Sequence, residues 1–324
     1  MTENSNNTSS VYDYSDSDDT NTEENSVQPF QVFVATLYSI VFIIGIIGNI
    51  LVLSIVFKYF RWRIFKFFRT EKCIFHIALA DLLFLISLPF WAYDAMAEWI
   101  FGGFMCRTVT ALYMLGLYGS VFFMVLIIVN EYLHFFLPFY GNTITLKMSC
   151  FVWIFSLLAC LPNVIFTRDI QGTHRTVCVH DFPNPAWRSF TFLNMNLLSF
   201  IIPLIIIVFC YLRFCVSLER VTFRFRTKLN TMLAVVVVHF LLWAPYNIAL
   251  FIIILQTNGY LQTFEWSGMN LAMQWVEIVA YIQCCLKPII YILFEQKFRT
   301  FRGISYSSAL TSRFPLPALE ESWV

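Results

Sequence analysis

Three ionisable side chains interrupt long apolar runs of this sequence: Asp81, Glu277 and Lys287. A charged group in an apolar environment is costly unless it is paired or neutralised, so such residues usually mark binding or transduction sites. The chemistry that they offer is charge recognition: a carboxylate binds a cation, and an ammonium group binds a carboxylate. Each of the three therefore needs a partner, either within the chain or in a ligand.

Polar residues also follow one face of the run from Cys106 to Tyr132, which has no charge between Arg107 and Glu131. At about 100° per residue, Cys106, Tyr113, Ser120 and Glu131 stay within roughly 40° of one another on a helix. One helical face therefore carries a thiol, a phenol, a small hydroxyl and a carboxylate in order of depth. The run is long enough to cross a bilayer with some tilt.

The composition indicates the solvent that surrounds these elements. Hydrophobic residues make up 59% of the 324 residues and charged residues 13%, about half the charged fraction of soluble domains. Each of seven apolar runs is near or above the ~20 residues that a membrane-spanning helix needs. The runs cover about 33–57, 73–93, 105–132, 148–166, 190–214, 229–255 and 269–293. The sequence therefore predicts an all-α membrane protein with a seven-helix transmembrane bundle over 31–303.

Lysine and arginine residues predict the orientation of this bundle. With the N-terminus outside, the inner loops and C-terminal tail hold sixteen basic residues and the outer segments four, as the positive-inside rule requires. Residues 294–303 form a basic amphipathic stretch that predicts a short eighth helix on membrane lipid, followed by a cytoplasmic tail at 304–324. We expect a multi-pass protein of the plasma membrane.

The N-terminal segment 1–30 is predicted to be a disordered extracellular tail. Its first 28 residues hold seven acids and no Lys or Arg, and they lack the pattern of a cleavable signal peptide. Asn6 and Asn7 each begin a glycosylation sequon, and the acidic surroundings of Tyr12 and Tyr14 suit tyrosine sulfation. Such an arm is suited to a basic protein ligand.

Cys106 and Cys178 are the two cysteines on the extracellular side, and the oxidising environment there predicts a disulfide between them. The other seven cysteines lie in spans or at their cytoplasmic ends and are expected to be free. The sequence has no metal-ligand spacing, no phosphate-binding glycine loop and no nucleophile-elbow motif. We therefore expect no enzyme activity, no cofactor or metal, and no nucleic-acid partner.

Several motifs resemble those of the rhodopsin-type G-protein-coupled receptors. They are Gly48-Asn49, Leu79-Ala80-Asp81, the Cys106 and Cys178 pair, Trp243-x-Pro245 and Pro288-x-x-Tyr291. Within that class the chain resembles CC-type chemokine receptors over about residues 30–303. The motifs for this are Ser87-Leu88-Pro89-Phe90-Trp91-Ala92, Glu98-Trp99-Ile100-Phe101-Gly102, Trp243-Ala244-Pro245-Tyr246-Asn247, and Glu277 eleven residues before Pro288.

The resemblance implies a chemokine ligand and a G protein or arrestin as partners. It places the ligand pocket at Tyr38, Trp91, Tyr113 and Glu277, with Tyr12 and Tyr14 on the flexible arm. Glu277 would bind a cationic group of the ligand. The residues implied in switching and transduction are Asn49, Asp81, Ser120, Asn130, Glu131, Tyr132, Tyr211, Trp243, Pro245, Lys287, Pro288 and Tyr291.

Two departures from the family pattern affect the transducing end. Asn130-Glu131-Tyr132 replaces Asp-Arg-Tyr, and we expect Glu131 to pair with a basic residue at the start of the sixth span: Arg224, Arg226 or Lys228. Lys287 replaces the Asn of Asn-Pro-x-x-Tyr. In related receptors the residues at the positions of Asp81, Asn49 and Ser120 can hold a sodium ion. We therefore predict a buried Asp81–Lys287 ion pair in place of that ion. The alternative is that Lys287 extends toward the cytoplasm.

These departures favour an atypical or scavenging chemokine receptor, with a virus as a candidate source. One alternative is a conventionally or constitutively signalling receptor, and a more remote one is a receptor for another peptide. A retinal protein is disfavoured because the family's retinal lysine falls on Tyr281, and a transporter because the sequence has no internal repeat.

Overall fold

A computed structural model describes residues 24–62, 69–137, 144–172, 175–217, 223–261 and 266–294 of the 324. Within these ranges the chain forms nine α-helices, one π-helical turn and one two-stranded sheet. The helices are α1 Glu24–Trp62, α2 Arg69–Met96, α3 Gly102–Phe136, α4 Ile144–Ile165, α5 Pro185–Asn196, α6 Ile202–Val216, α7 Phe223–Thr257, α8 Trp266–Tyr281 and α9 Gln283–Phe294. The strands are β1 Thr167–Gln171 and β2 Thr176–His180.

Seven segments of the described chain are long and apolar enough to cross a membrane. They are Phe30–Lys58, Thr70–Met96, Gly102–Phe136, Lys147–Ile165, Pro185–Val216, Leu229–Thr257 and Ala272–Leu293. The predicted all-α bundle of seven spans is therefore confirmed. Helix α1 begins at Glu24, inside the segment 1–30 predicted as a disordered tail. The rest of that tail, the predicted eighth helix and the tail at 304–324 lie outside the described residues.

The third span, α3, is the centre of the bundle. In its most apolar window 72% of the residues are buried, against 28% for the first span. Gly116 allows α2 and α3 to approach closely, since a methyl group there would lie 2.6 Å from the backbone nitrogen of Phe84. The polar face predicted for α3 therefore lies inside protein, and Tyr113, Ser120 and Glu131 are each at most 6% exposed.

Two proline-containing spans, the fifth and the seventh, are interrupted. The fifth span consists of α5, the π-helical turn Leu197–Ile201 and α6, with Pro203 in the first turn of α6. The seventh span divides at Ile282 into α8 and α9. Pro288 has no N–H for the carbonyl of Cys284 one turn earlier, and the side chain of Asn49 donates to that carbonyl instead, at 3.1 Å.

The segment between the fourth and fifth spans folds back over the bundle as an antiparallel hairpin of β1 and β2. Cys178 of β2 is bonded to Cys106 in the second turn of α3, with 5.6 Å between the two Cα atoms. The predicted disulfide is thus confirmed, and the remaining seven cysteines, all within the described residues, form no disulfide. The bond fixes the hairpin to the end of α3 that carries Tyr113.

Candidate functional site

The half of the bundle nearest the hairpin, called the outer half below, holds a carboxylate among tyrosines. Tyr38 of α1 donates a hydrogen bond to Glu277 of α8 at 3.4 Å, and Tyr281 donates to Tyr113 of α3 at 3.3 Å. The rings of Tyr38 and Tyr281 lie 5.4 Å apart. All three tyrosines are buried. The first, third and seventh spans thus place one anionic group in an aromatic surround, which is suited to a cation.

Tyr281 was not predicted as part of this cluster. It lies four residues after Glu277, and residues spaced by four share one face of a helix. That spacing could have identified it. Trp91, a predicted member, packs against the same apolar core as Tyr38 and Tyr113, and its ring centroid lies 6.0 Å from that of Trp99.

Tyr12 and Tyr14, and the sequon residues Asn6 and Asn7, lie outside the residues that the structure describes.

Deeper in the bundle, the predicted ion pair is present. The ammonium nitrogen of Lys287 lies 3.1 Å from Oδ1 of Asp81 and donates to the hydroxyl of Ser120 at 2.6 Å. Both charged side chains are 1% exposed, so the alternative in which Lys287 extends toward the cytoplasm is wrong. The ammonium group joins the second, third and seventh spans.

A second buried polar contact lies beside this pair. His239 of α7 is hydrogen-bonded through Nδ1 to Oε1 of Gln283, and each residue is 1% exposed. The contact joins the sixth and seventh spans, and Lys287 is near enough to His239 to interact with it electrostatically. This contact was not predicted from the sequence.

Trp243 separates the outer tyrosines from these inner polar residues. It is 1% exposed, and its ring centroid lies 6.5 Å from Tyr281 and 6.1 Å from His239. Pro245 lies two residues later inside α7. A change in the position of Trp243 would therefore alter its contacts with both Tyr281 and His239.

At the end of α3 remote from the disulfide, Glu131 turns toward the second span. Its Oε1 accepts a hydrogen bond from the hydroxyl of Thr70 at 2.7 Å, and both residues are buried. The predicted partners Arg224, Arg226 and Lys228 have side chains outside the described part. The contact with Thr70 was not predicted.

The neighbours of Glu131 are also in the core. Asn130 is 2% exposed, and the ring of Tyr132 packs on Phe136 at 4.7 Å and near Phe214 at 6.1 Å. Tyr291 is buried, and Tyr211 is partly buried.

The hairpin is attached to α4 by a short hydrogen-bonded chain. The hydroxyl of Thr167 donates to the carbonyl of Asn163 at 2.7 Å and lies 2.9 Å from Nδ1 of His180, from which it therefore accepts. Desolvation of the His180 ring lowers its pKa to about 4. Arg107 of α3 donates to the carbonyl of Thr167 at 3.2 Å.

Comparison with known families agrees with this architecture. The model described as 7 transmembrane receptor (rhodopsin family) matches residues 48–291, well over half of the 324 residues. The chain belongs to this family of receptors. Its members bind ligands and engage G proteins or arrestin, and membership implies a multi-pass protein of the plasma membrane.

The sodium ion implied by the family resemblance does not fit here. Asp81 Oδ1 and Ser120 Oγ, two of the groups that would hold it, are both within hydrogen-bond distance of the Lys287 ammonium. The amide nitrogen of Asn49, the third residue, is directed at the carbonyls of Gly45 and Cys284. A cation placed among these groups would meet a fixed positive charge.

Proposed function

We propose that this protein is a chemokine-binding receptor of CC-like type, with its N-terminus outside the cell. The observation that carries the proposal is the Glu277 carboxylate, placed among Tyr38, Tyr113 and Tyr281 in the outer half of the bundle. An anionic group with aromatic neighbours in a region of low dielectric binds an ammonium or guanidinium group well. Trp91 extends the aromatic wall of the pocket.

The acidic tail completes a two-part site. Its seven acids, with Tyr12 and Tyr14 sulfated, would attract the basic body of a chemokine, while the pocket takes the mobile end of the same ligand. Asn6 and Asn7 are the glycosylation acceptors in this arm. The family's second extracellular cysteine pair is absent from 1–32 and 256–268, so the arm is less constrained than in its relatives.

For the cytoplasmic side we propose weakened G-protein coupling, as in an atypical or scavenging receptor. Glu131 replaces the arginine with which the family contacts its G protein, so the charge at this place is reversed. Its hydrogen bond to Thr70 supports a role within the bundle. A viral origin is in keeping with these losses.

The test is a binding screen of labelled chemokines on cells that express the full chain. We expect saturable binding of at least one basic CC chemokine, displaced by the unlabelled protein. If no chemokine binds while surface staining shows the receptor, the proposal is wrong, and other basic peptides become the ligands to test.

A signalling receptor is the second candidate. It is favoured by the burial of the family's switch residues Trp243 and Tyr291 in the core, as expected if they still transmit movement. Agonist-independent nucleotide exchange on G proteins in membranes containing the receptor separates the two. Exchange above that of membranes without the receptor would favour signalling.

A further inference from the structure

The inner half of the seventh span, α9, is held from four sides by polar contacts. Gln283 is bonded to His239 of the sixth span, and the carbonyl of Cys284 accepts from Asn49 of the first. Lys287 contacts Asp81 of the second span and Ser120 of the third. Three residues within five positions of α9 therefore fix it to the first, second, third and sixth spans.

The strongest of these contacts is the one that involves charge. The side chains of Lys287 and Asp81 are both buried in the bundle. Removing one partner of a buried pair leaves an uncompensated charge, which costs more than removing both. The pair therefore resists any displacement of α9 that separates the two groups.

The outer half of the span, α8, is connected differently. It carries Glu277 and Tyr281, and it is separated from α9 by the break at Ile282, whose carbonyl accepts from the backbone N–H groups of Cys285 and Leu286. The break separates the helix that carries Glu277 from the helix that carries Lys287.

We propose that the Lys287 ammonium is a permanent internal cation that fills the place of an exchangeable metal ion and fastens α9 to the second and third spans. Because this cation is covalently part of the chain, it cannot dissociate. The stability of the folded bundle is then independent of sodium, and α9 stays in its resting position when a ligand occupies the outer pocket.

The test is the melting temperature of the purified full chain in NaCl and in KCl of equal concentration. We expect the unmodified protein to melt at the same temperature in both salts. Lys287→Asn, which leaves the Asp81 carboxylate beside Ser120 and an uncharged neighbour, should melt several degrees higher in NaCl. Lys147→Asn removes an exposed lysine from the start of α4 and serves as the matched control.

Two further variants separate charge from packing. Asp81→Asn alone strands the ammonium and should melt lowest, below the double variant Asp81→Asn, Lys287→Asn, which should show no response to sodium. Stabilisation of the unmodified protein by NaCl over KCl would overturn the proposal, and this comparison needs no variant. So would a sodium response in Lys287→Asn no larger than that of Lys147→Asn, or a single Asp81→Asn variant at least as stable as the double. None of these measurements uses a ligand, so they are independent of the chemokine assignment.

Discussion

Replacing Glu277 with glutamine is the most informative change in the outer pocket. The substitution keeps the size of the side chain and an oxygen that can accept the 3.4 Å hydrogen bond from Tyr38, while it removes the negative charge. A ligand cation about 4 Å away would interact with the carboxylate by about 4 kcal/mol at an effective dielectric constant near 20. Desolvation of the ligand offsets part of this, and hydrogen bonds to charged groups contribute about 1.5–3 kcal/mol in net terms.

We therefore expect Glu277→Gln to weaken chemokine binding about 10- to 100-fold, since each 1.4 kcal/mol is tenfold in affinity. The assay is equilibrium binding of the labelled chemokine to cells with matched surface expression. Glu98→Gln is the control: it removes an exposed carboxylate before the third span and should change affinity by less than about fivefold.

A second arm tests whether the lost interaction is with a cation. The chemokine is used with its N-terminal amine acetylated, and the affinities for the unmodified receptor and for Glu277→Gln are compared again. The difference between them should shrink if that amine is the group bound. If Glu277→Gln binds the native ligand as tightly as Glu98→Gln does, the carboxylate is not a ligand contact and the reasoning fails.

Four other changes test separate parts of the account. Gly116→Ala would place a methyl group 2.6–2.7 Å from backbone atoms of the second span, so it should lower the melting temperature markedly, and an unchanged melt would show that α2 and α3 are not in close contact. Glu131→Arg, alone and with Asn130→Asp, should raise ligand-driven nucleotide exchange; no rise with either would place the block elsewhere. Deleting residues 1–28 should reduce chemokine affinity severely and remove most of its salt dependence while surface expression persists, whereas unchanged affinity would exclude the arm as a binding element. The pKa of His180 is about 4 in the folded protein and about 6.5 in the unfolded chain, so between these values the unfolded chain binds more protons. The melting temperature should therefore fall from pH 7 to pH 5, and it should fall less in His180→Gln.

The membrane-spanning helices, the disulfide and the buried ion pair were predictable from the sequence. Seven apolar runs require seven spans, because backbone polar groups in hydrocarbon must be satisfied within helices. The pairing of Cys106 with Cys178 followed from their being the two cysteines outside the membrane. The pairing of Asp81 with Lys287 followed from the cost of isolating either charge, once the family resemblance had placed them side by side.

Other contacts depend on three-dimensional placement that no local pattern encodes. His239 and Gln283 are 44 residues apart and sit on different spans, and neither shows its partner in the sequence. The bond from Thr70 to Glu131 was missed because only basic residues were considered as partners of Glu131. Reasoning of this kind finds ion pairs more readily than hydrogen bonds to uncharged groups.

The hairpin also escaped prediction. Strand β1, Thr167–Gln171, has a mixed polar sequence without an alternating apolar pattern. Its partner β2 is held by the disulfide, and Arg107 of α3 donates a hydrogen bond to the carbonyl of Thr167 in β1. Strands as short as these are stabilised by what they pack against. The break of the seventh span at Ile282 was not predicted either, because Pro288 indicates that the helix is distorted without fixing the residue at which it divides.

The central claim is that the binding half of a chemokine receptor is retained here while its coupling half is altered. The most direct measurement is equilibrium binding of a basic CC chemokine to the receptor in lipid nanodiscs, with and without nucleotide-free G protein. Coupling between two sites is reciprocal, so a G protein that a receptor activates must raise the affinity for its agonist. We predict saturable chemokine binding whose dissociation constant is unchanged by the G protein. An absence of binding would contradict the ligand assignment, and a G-protein-induced rise in affinity of tenfold or more would contradict the claim of altered coupling.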